Sequence, residues 1–152
     1  MKRLREIMRE GFLFAVRKDA TVTEAARTMA ENNVGIVAVL EGDRLIGLFS
    51  ERDAVRRVID KGLDPAATQV EQVMTRDLMV ADEQEDYQTA MRTMVQANIR
   101  HLPVVRGSQV VSMLSIRDLM RVDMARMGEE LRSLHEYLYT VPPDMVQEPK
   151  GS

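Results

Sequence analysis

The chain has 152 residues with a formal net charge of −3, 45% apolar and 30% charged residues, 12 methionines, no cysteine and no tryptophan. Such a composition supports a buried core and excludes a disordered chain. Without cysteine there are no disulfides, thiolate nucleophiles or zinc–thiolate sites, and the slight acidity gives no overall attraction to nucleic acid or anionic lipid.

In chain order, residues 1–10 mix charge with Leu4, Ile7 and Met8 and lack the apolar core of a secretory signal. The longest apolar runs, such as residues 34–40, fall far short of the ~20 needed to span a bilayer. A soluble, cytoplasmic chain with no membrane or nucleic-acid partner is expected. Residues 12–16 read as a short strand. Val22, Ala25, Ala26 and Met29 then follow at helical spacing, opened by Thr21 with Glu24 three residues on, a capping box. Residues 36–40 and 45–49 are apolar, β-branched runs around Glu41-Gly42-Asp43-Arg44, which predicts a hairpin, and a further helix begins near Ser50. Residues 61–69, with Gly62 and Pro65, read as a linker. Beyond it come a strand at 78–80, a helix with Tyr87, Ala90, Met91 and Met94 on one face, and strands at 102–105 and 110–114 around Arg106-Gly107-Ser108. Met120, Met124, Met127, Leu131, Leu134 and Leu138 then step by four and three, a heptad-like stripe. It predicts an amphipathic helix over 124–140 that packs on its own module or forms a homodimer seam. Gly128 inside it weakens the helix by roughly 1 kcal/mol. Val141-Pro142-Pro143 ends it, and 141–152 read as a flexible tail.

The second half repeats the first. A shift of 65 residues places Asn33 on Asn98, Val39 on Val104, Gly42 on Gly107, Ser50 on Ser115 and Asp53 on Asp118; a shift of 66 aligns Ile7-Met8 with Val73-Met74. Each copy reads β-α-β-β-α. Strands apolar throughout need cover on both faces, so an α/β (α+β) fold is expected in which two such units pack about a pseudo-two-fold axis, followed by a C-terminal helix. The expected organisation is a first repeat at 4–60, a linker at 61–69, a second repeat at 70–123, the helix at 124–140 and the tail.

At the end of the third strand of each copy stand Gly47-Leu48-Phe49-Ser50-Glu51-Arg52-Asp53 and Ser112-Met113-Leu114-Ser115-Ile116-Arg117-Asp118. With Asn33-Val34-Gly35, Val73-Met74-Thr75 and the stretch from Arg100-His101 to Val105, these resemble the CBS repeat, named for cystathionine β-synthase, over about residues 4–123. That resemblance implies a two-repeat Bateman module with two clefts for AMP, ATP, NAD(H) or S-adenosylmethionine, with AMP first in order. It also implies a regulatory module acting on an unidentified effector protein, with no catalytic cofactor and a tendency to dimerise. Asp53 and Asp118 can accept from both hydroxyls of a ribose, with Ser50 and Ser115 beside them at helix starts. The same Ser-x-x-Asp pattern is also a helix cap, and the two roles can coexist. Arg100 and His101 at a strand start either reach solvent or meet an anion, and the resemblance implies phosphate. Arg52 and Arg117 either contact phosphate or pair on the helix surface. Val34, Gly35, Ile36, Val37, Ile99, Leu102 and Pro103 are the expected adenine slot, although most such residues are also core.

Two departures suggest unequal clefts. Ser112 stands where a glycine is usual and is expected to narrow the second cleft, and the first repeat has Gly35-Ile36 where the second has Arg100-His101. No cysteine nucleophile, P-loop, Gly-x-Gly-x-x-Gly or metal-ligand spacing is present, and His101 and His135 are the only histidines, so no enzyme is expected. The competing expectation is a ligand-free dimeric scaffold.

Overall fold

A computed structural model of the chain describes residues 1–140; the expected tail at 141–152 lies outside the described residues. The elements are α1 (Leu4–Ile7), β1 (Ala15–Arg17), α2 (Val22–Asn32), β2 (Ile36–Glu41), β3 (Arg44–Ser50), α3 (Glu51–Asp53) continuing as a π-wound stretch (Ala54–Ile59), a 3₁₀ turn (Val70–Gln72), β4 (Ala81–Asp82), α4 (Tyr87–Ala97), β5 (His101–Arg106), β6 (Gln109–Ser115) and α5 (Ile116–Thr140). They form two three-stranded sheets, β1-β2-β3 and β4-β5-β6, with the first pair parallel and the second antiparallel in each. The architecture is mixed α/β, built twice.

Local chemistry explains why both copies fold alike. Thr21 caps α2, its hydroxyl accepting from the Glu24 N–H at 3.2 Å while the Glu24 carboxylate accepts from the Thr21 N–H at 3.0 Å. Asp86 caps α4. Both helices stop at an asparagine in the left-handed region, Asn33 (φ 53°) and Asn98 (φ 54°), a conformation that asparagine tolerates better than most residues. Both hairpins turn on two residues of which the first, Gly42 or Gly107, has a positive φ. Val22, Ala25 and Met29 are buried under the first sheet and Tyr87, Ala90 and Met94 under the second, while Ala26, on the apolar face by spacing, is exposed.

The strands expected at 12–16 and 78–80 begin later, at Ala15 and Ala81. The reason is the contact between the two sheets. Leu13 and Leu78, 65 residues apart, pack around Ala38, Leu48 and Met113 in an apolar layer between the repeats, and only the residues after them align with β2 and β5.

Packing units and sequence repeats do not coincide. Leu4 of α1 is fully buried in the core of the second repeat with Tyr87, Met94 and Leu119, and the Leu4 N–H donates to Glu85 O at 2.9 Å. Its counterpart Val70 is buried in the core of the first, its N–H donating to Ala20 O at 2.8 Å. Each repeat is therefore completed by the segment that precedes the other. The linker is an ordered strap: Thr68 O accepts from the Val22 N–H at 2.9 Å and Pro65 O from the Thr23 N–H at 3.1 Å.

Gly47 and Ser112 occupy equivalent positions facing these exchanged segments. A Cβ on Gly47 would lie 2.3 Å from Met74 Sδ, so a side chain there would have to displace the buried Met74. In the second repeat Ser112 is fully buried and its hydroxyl donates to Arg9 O at 2.8 Å. The expectation that Ser112 narrows a cleft is thus corrected, because its side chain serves the N-terminal segment.

The C-terminal helix is not a separate element: α5 runs unbroken from Ile116 to Thr140. Tyr87 holds its first half, with its hydroxyl donating to Asp123 at 3.1 Å and accepting from Arg126 Nε at 3.1 Å. The stripe beyond does not pack on its own module, since Met120, Met124, Met127, Leu131, Leu134 and Leu138 are each at least half exposed. Among the described residues, no helix is long and apolar enough to cross a membrane.

Candidate functional site

The pseudo-two-fold arrangement brings the start of β2 beside the start of β5, and this places a cleft on either side of the shared wall. The larger, about 490 Å³, lies at the start of α5 and is lined by Ser115, Ile116, Arg117, Asp118 and Arg121 together with Val34, Gly35, Ile36, Arg100 and His101. Phe12, Leu13, Phe14, Asn33 and Met113 complete it. The smaller, about 290 Å³, lies at the start of α3 and is lined by Ser50, Glu51, Arg52, Asp53, Leu48 and Thr75 together with Gly35, Ile36, Asn98, Ile99, Arg100 and His101.

Each Ser-x-x-Asp pair caps its helix. In the larger cleft Asp118 Oδ2 accepts from the Ser115 N–H at 2.9 Å, and the Asp118 N–H donates to Ser115 Oγ at 3.1 Å. In the smaller, Asp53 Oδ2 accepts from both the N–H and the hydroxyl of Ser50, at 3.0 and 3.1 Å, and the Asp53 N–H donates to Ser50 Oγ at 3.2 Å. Asp53 is also engaged from outside its own turn. The Thr75 hydroxyl lies 3.3 and 3.4 Å from its two oxygens, and Arg57 Nε is 3.5 Å from Oδ1. Asp53 is consequently buried, whereas Asp118 is half-buried.

The basic pair is not private to the second repeat. Arg100 and His101 line both clefts because β5 starts at the wall between them. Burial pushes the His101 imidazole below its ordinary pKa; Asp118 and Glu51 pull it back up and Arg100 adds to the lowering. The neutral form of the ring is therefore favoured at pH 7.

Of the expected adenine slot, Val34, Gly35 and Ile36 line the larger cleft and Gly35, Ile36 and Ile99 the smaller. Val37, Leu102 and Pro103 line neither. They are fully buried, because alternation along β2 and β5 turns them into the cores or against the neighbouring strand. Sequence reasoning missed Phe12, Phe14 and Arg121 in the larger cleft and Thr75 and Glu51 in the smaller. Phe12 and Phe14 stand edge to face with centroids 5.8 Å apart, and in the sequence their apolar run reads as strand. Arg121 had a signal, since it repeats Arg56 at the 65-residue shift beside the motif.

Chemically, a cleft with an apolar wall, a carboxylate and hydroxyl at a helix start, and guanidinium groups at its mouth can hold a flat heterocycle, a diol and an anion together. Among the described residues no group of three or more histidine or acidic side chains is placed to hold a metal ion.

Comparison with known proteins agrees with the duplicated fold. The family model for the CBS domain matches residues 4–60 and 70–125. A mitochondrial CBS domain-containing protein of Arabidopsis thaliana is 33% identical over 125 residues, which cover 79% of this chain and 61% of that protein, so the match spans about three-fifths of the plant relative. Among solved structures, a protein with CBS domains from Burkholderia ambifaria is 31% identical, with a TM-score of 0.72 over 76% of this chain and 85% of that one. A CBS domain protein from Pyrobaculum aerophilum, complexed with AMP, is 26% identical with a TM-score of 0.70 over 77% and 89%. With both repeats matched and the Ser-x-x-Asp turn standing at the same place in each, this chain belongs to the CBS-domain family.

Proposed function

We propose that the chain is a regulatory sensor, not a catalyst, that binds an adenine nucleotide between its repeats and passes the signal to an effector protein. The observation that carries this reading is the convergence, in one cleft of about 490 Å³, of Asp118 and Ser115 with Arg100, Arg117, His101 and an apolar aromatic wall. Asp118 and Ser115 are suited to the ribose hydroxyls, the arginines and His101 to phosphate, and Val34, Ile36 and the phenylalanines to the purine face. AMP is the first ligand to test, supported by the relative crystallised with AMP; ATP, NAD(H) and S-adenosylmethionine follow. Thermal-shift titration with these compounds is the test, because a ligand that binds only the native state raises the melting temperature. A rise with AMP that Asp118→Ala removes supports the reading, and no shift with any of them sinks it.

A second reading is favoured by α5. Its exposed stripe keeps heptad-like spacing over six positions, and Met120 and Met124 have equally exposed counterparts in Val55 and Ile59 at the 65-residue shift. A second copy of this chain is the occupant that matches both features, because an identical helix repeats the same spacing and the same paired patches. On that reading the chain is a homodimer, and a protein that dimerises but takes no nucleotide would be a scaffold.

A further inference from the structure

The two clefts share a wall, yet their carboxylates are in different states. Asp53 is engaged on both oxygens: Oδ2 accepts from the Ser50 N–H and hydroxyl, the one Thr75 hydroxyl lies between Oδ1 and Oδ2, and Arg57 Nε forms an ion pair with Oδ1 at 3.5 Å. Arg57 is itself fixed, Nη1 donating to Met74 O at 2.8 Å. Among the described residues Asp118 has no hydrogen-bond donor beyond the Ser115 N–H, and the Ser115 hydroxyl does not donate to it. Neither partner of the Thr75–Arg57 clasp has an equivalent in the second repeat. The position equivalent to Arg57 is Val122, and the segment crossing β6 at Met113, where Thr75 crosses Leu48 in the first repeat, offers Phe12.

The charges differ in the same sense. Three arginines, Arg100, Arg117 and Arg121, face one carboxylate in the Asp118 cleft, whereas Arg52 and Arg100 face Glu51 and Asp53 in the other. At the first helical position, where an approaching phosphate would meet the helix N-terminus, the larger cleft has Ile116 and the smaller has the carboxylate of Glu51.

We infer that the module has one nucleotide site per chain, the Asp118 cleft, which selects an anionic adenine nucleotide, while Thr75 and Arg57 clasp Asp53 and keep the other cleft closed to a ribose. This rests on the nucleotide reading above and says which cleft carries it. A ribose diol entering the Asp53 cleft must displace donors already on the carboxylate, so it exchanges hydrogen bonds instead of adding them. Losing the surplus of a single charge-assisted hydrogen bond weakens binding by about tenfold or more.

Calorimetric titration of the full chain with AMP and with ATP tests this. Wild type takes one nucleotide per chain. Asp118→Asn, which keeps an oxygen to cap α5, weakens it at least about tenfold, and Asp53→Asn leaves affinity unchanged. Thr75→Val combined with Arg57→Met brings a second nucleotide per chain. Thr75→Val alone, which leaves Arg57 on the Met74 carbonyl and the fold least disturbed, brings a weaker second event. Two equal sites in wild type, loss of binding in Asp53→Asn but not in Asp118→Asn, or one nucleotide per chain in both clasp variants overturns the inference while the nucleotide reading stands. Absence of any AMP or ATP binding by wild type overturns both.

Discussion

The two repeats use the same plan with different endings, and the difference lies after the Ser-x-x-Asp turn. In the first, Glu51–Asp53 gives way to a π-wound stretch, with Asp60 and Leu63 N–H groups donating five residues back to Val55 and Val58, and the chain then turns at Gly62 into the strap. In the second, the same turn opens a helix of 25 residues that carries on past the body. The first ending curls inward and supplies Arg57 to Asp53; the second leaves Asp118 with only its cap hydrogen bonds among the described residues and extends an apolar stripe outward. Duplication therefore produced two clefts with one chemical plan, and small differences in the segment after each turn decided which carboxylate is engaged.

The largest expected effects come from the exchanged segments. Leu4→Ala removes a fully buried side chain from the second core and is expected to cost about 2–5 kcal/mol, read by urea denaturation. A loss under about 0.5 kcal/mol would mean that α1 does not complete that repeat. Next is the Gly47–Ser112 pair. Gly47→Ser must push Met74 aside and is expected to cost about 1–3 kcal/mol. Ser112→Gly loses the hydrogen bond to Arg9 O and stiffness in a strand, about 1–2 kcal/mol, without weakening AMP binding. If Ser112→Gly instead tightened AMP binding, the serine would obstruct the cleft after all.

A smaller effect is expected from pH. Burial depresses His101 in the folded protein, so its neutral form contributes stability that is complete above its unfolded pKa of about 6.5 and is lost as pH falls from there through the folded value. A phosphate beside the ring reverses the preference. AMP binding should then take up a proton and be stronger near pH 6 than near pH 8, and His101→Gln should flatten that difference in calorimetric titrations against pH. Equal slopes in wild type and variant would remove His101 from the phosphate site. The smallest effect on folding is expected on α5. Leu131→Lys with Leu134→Lys should change monomer stability by less than about 0.5 kcal/mol per site while shifting sedimentation from dimer to monomer. Unchanged sedimentation would reject the stripe as a seam between copies.

Much of the fold was legible because local signals were repeated. The Thr21–Glu24 box, the glycine hairpins and the serine–aspartate turns each act within a few residues, so spacing alone locates them. Reading them twice at one offset separated pattern from coincidence. The clefts were half legible for the same reason: Ser50, Asp53, Ser115 and Asp118 are local, and so is the basic pair that opens β5.

Long-range packing was not legible. That Leu4 belongs to the second core, that Ser112 serves Arg9 while Gly47 makes room for Met74, that Val37, Leu102 and Pro103 face inward, and that Phe12 and Phe14 leave the strand to line a cleft all depend on which segments meet. Residue order was enough to specify a duplicated β-α-β-β-α unit with a Ser-x-x-Asp turn at the end of each third strand, because caps, turns and apolar alternation are set by neighbours in the chain. Packing in three dimensions was needed to tell the two turns apart, because Thr75 lies 22 residues from Asp53 and reaches it only when the segment before one repeat packs on the sheet of the other.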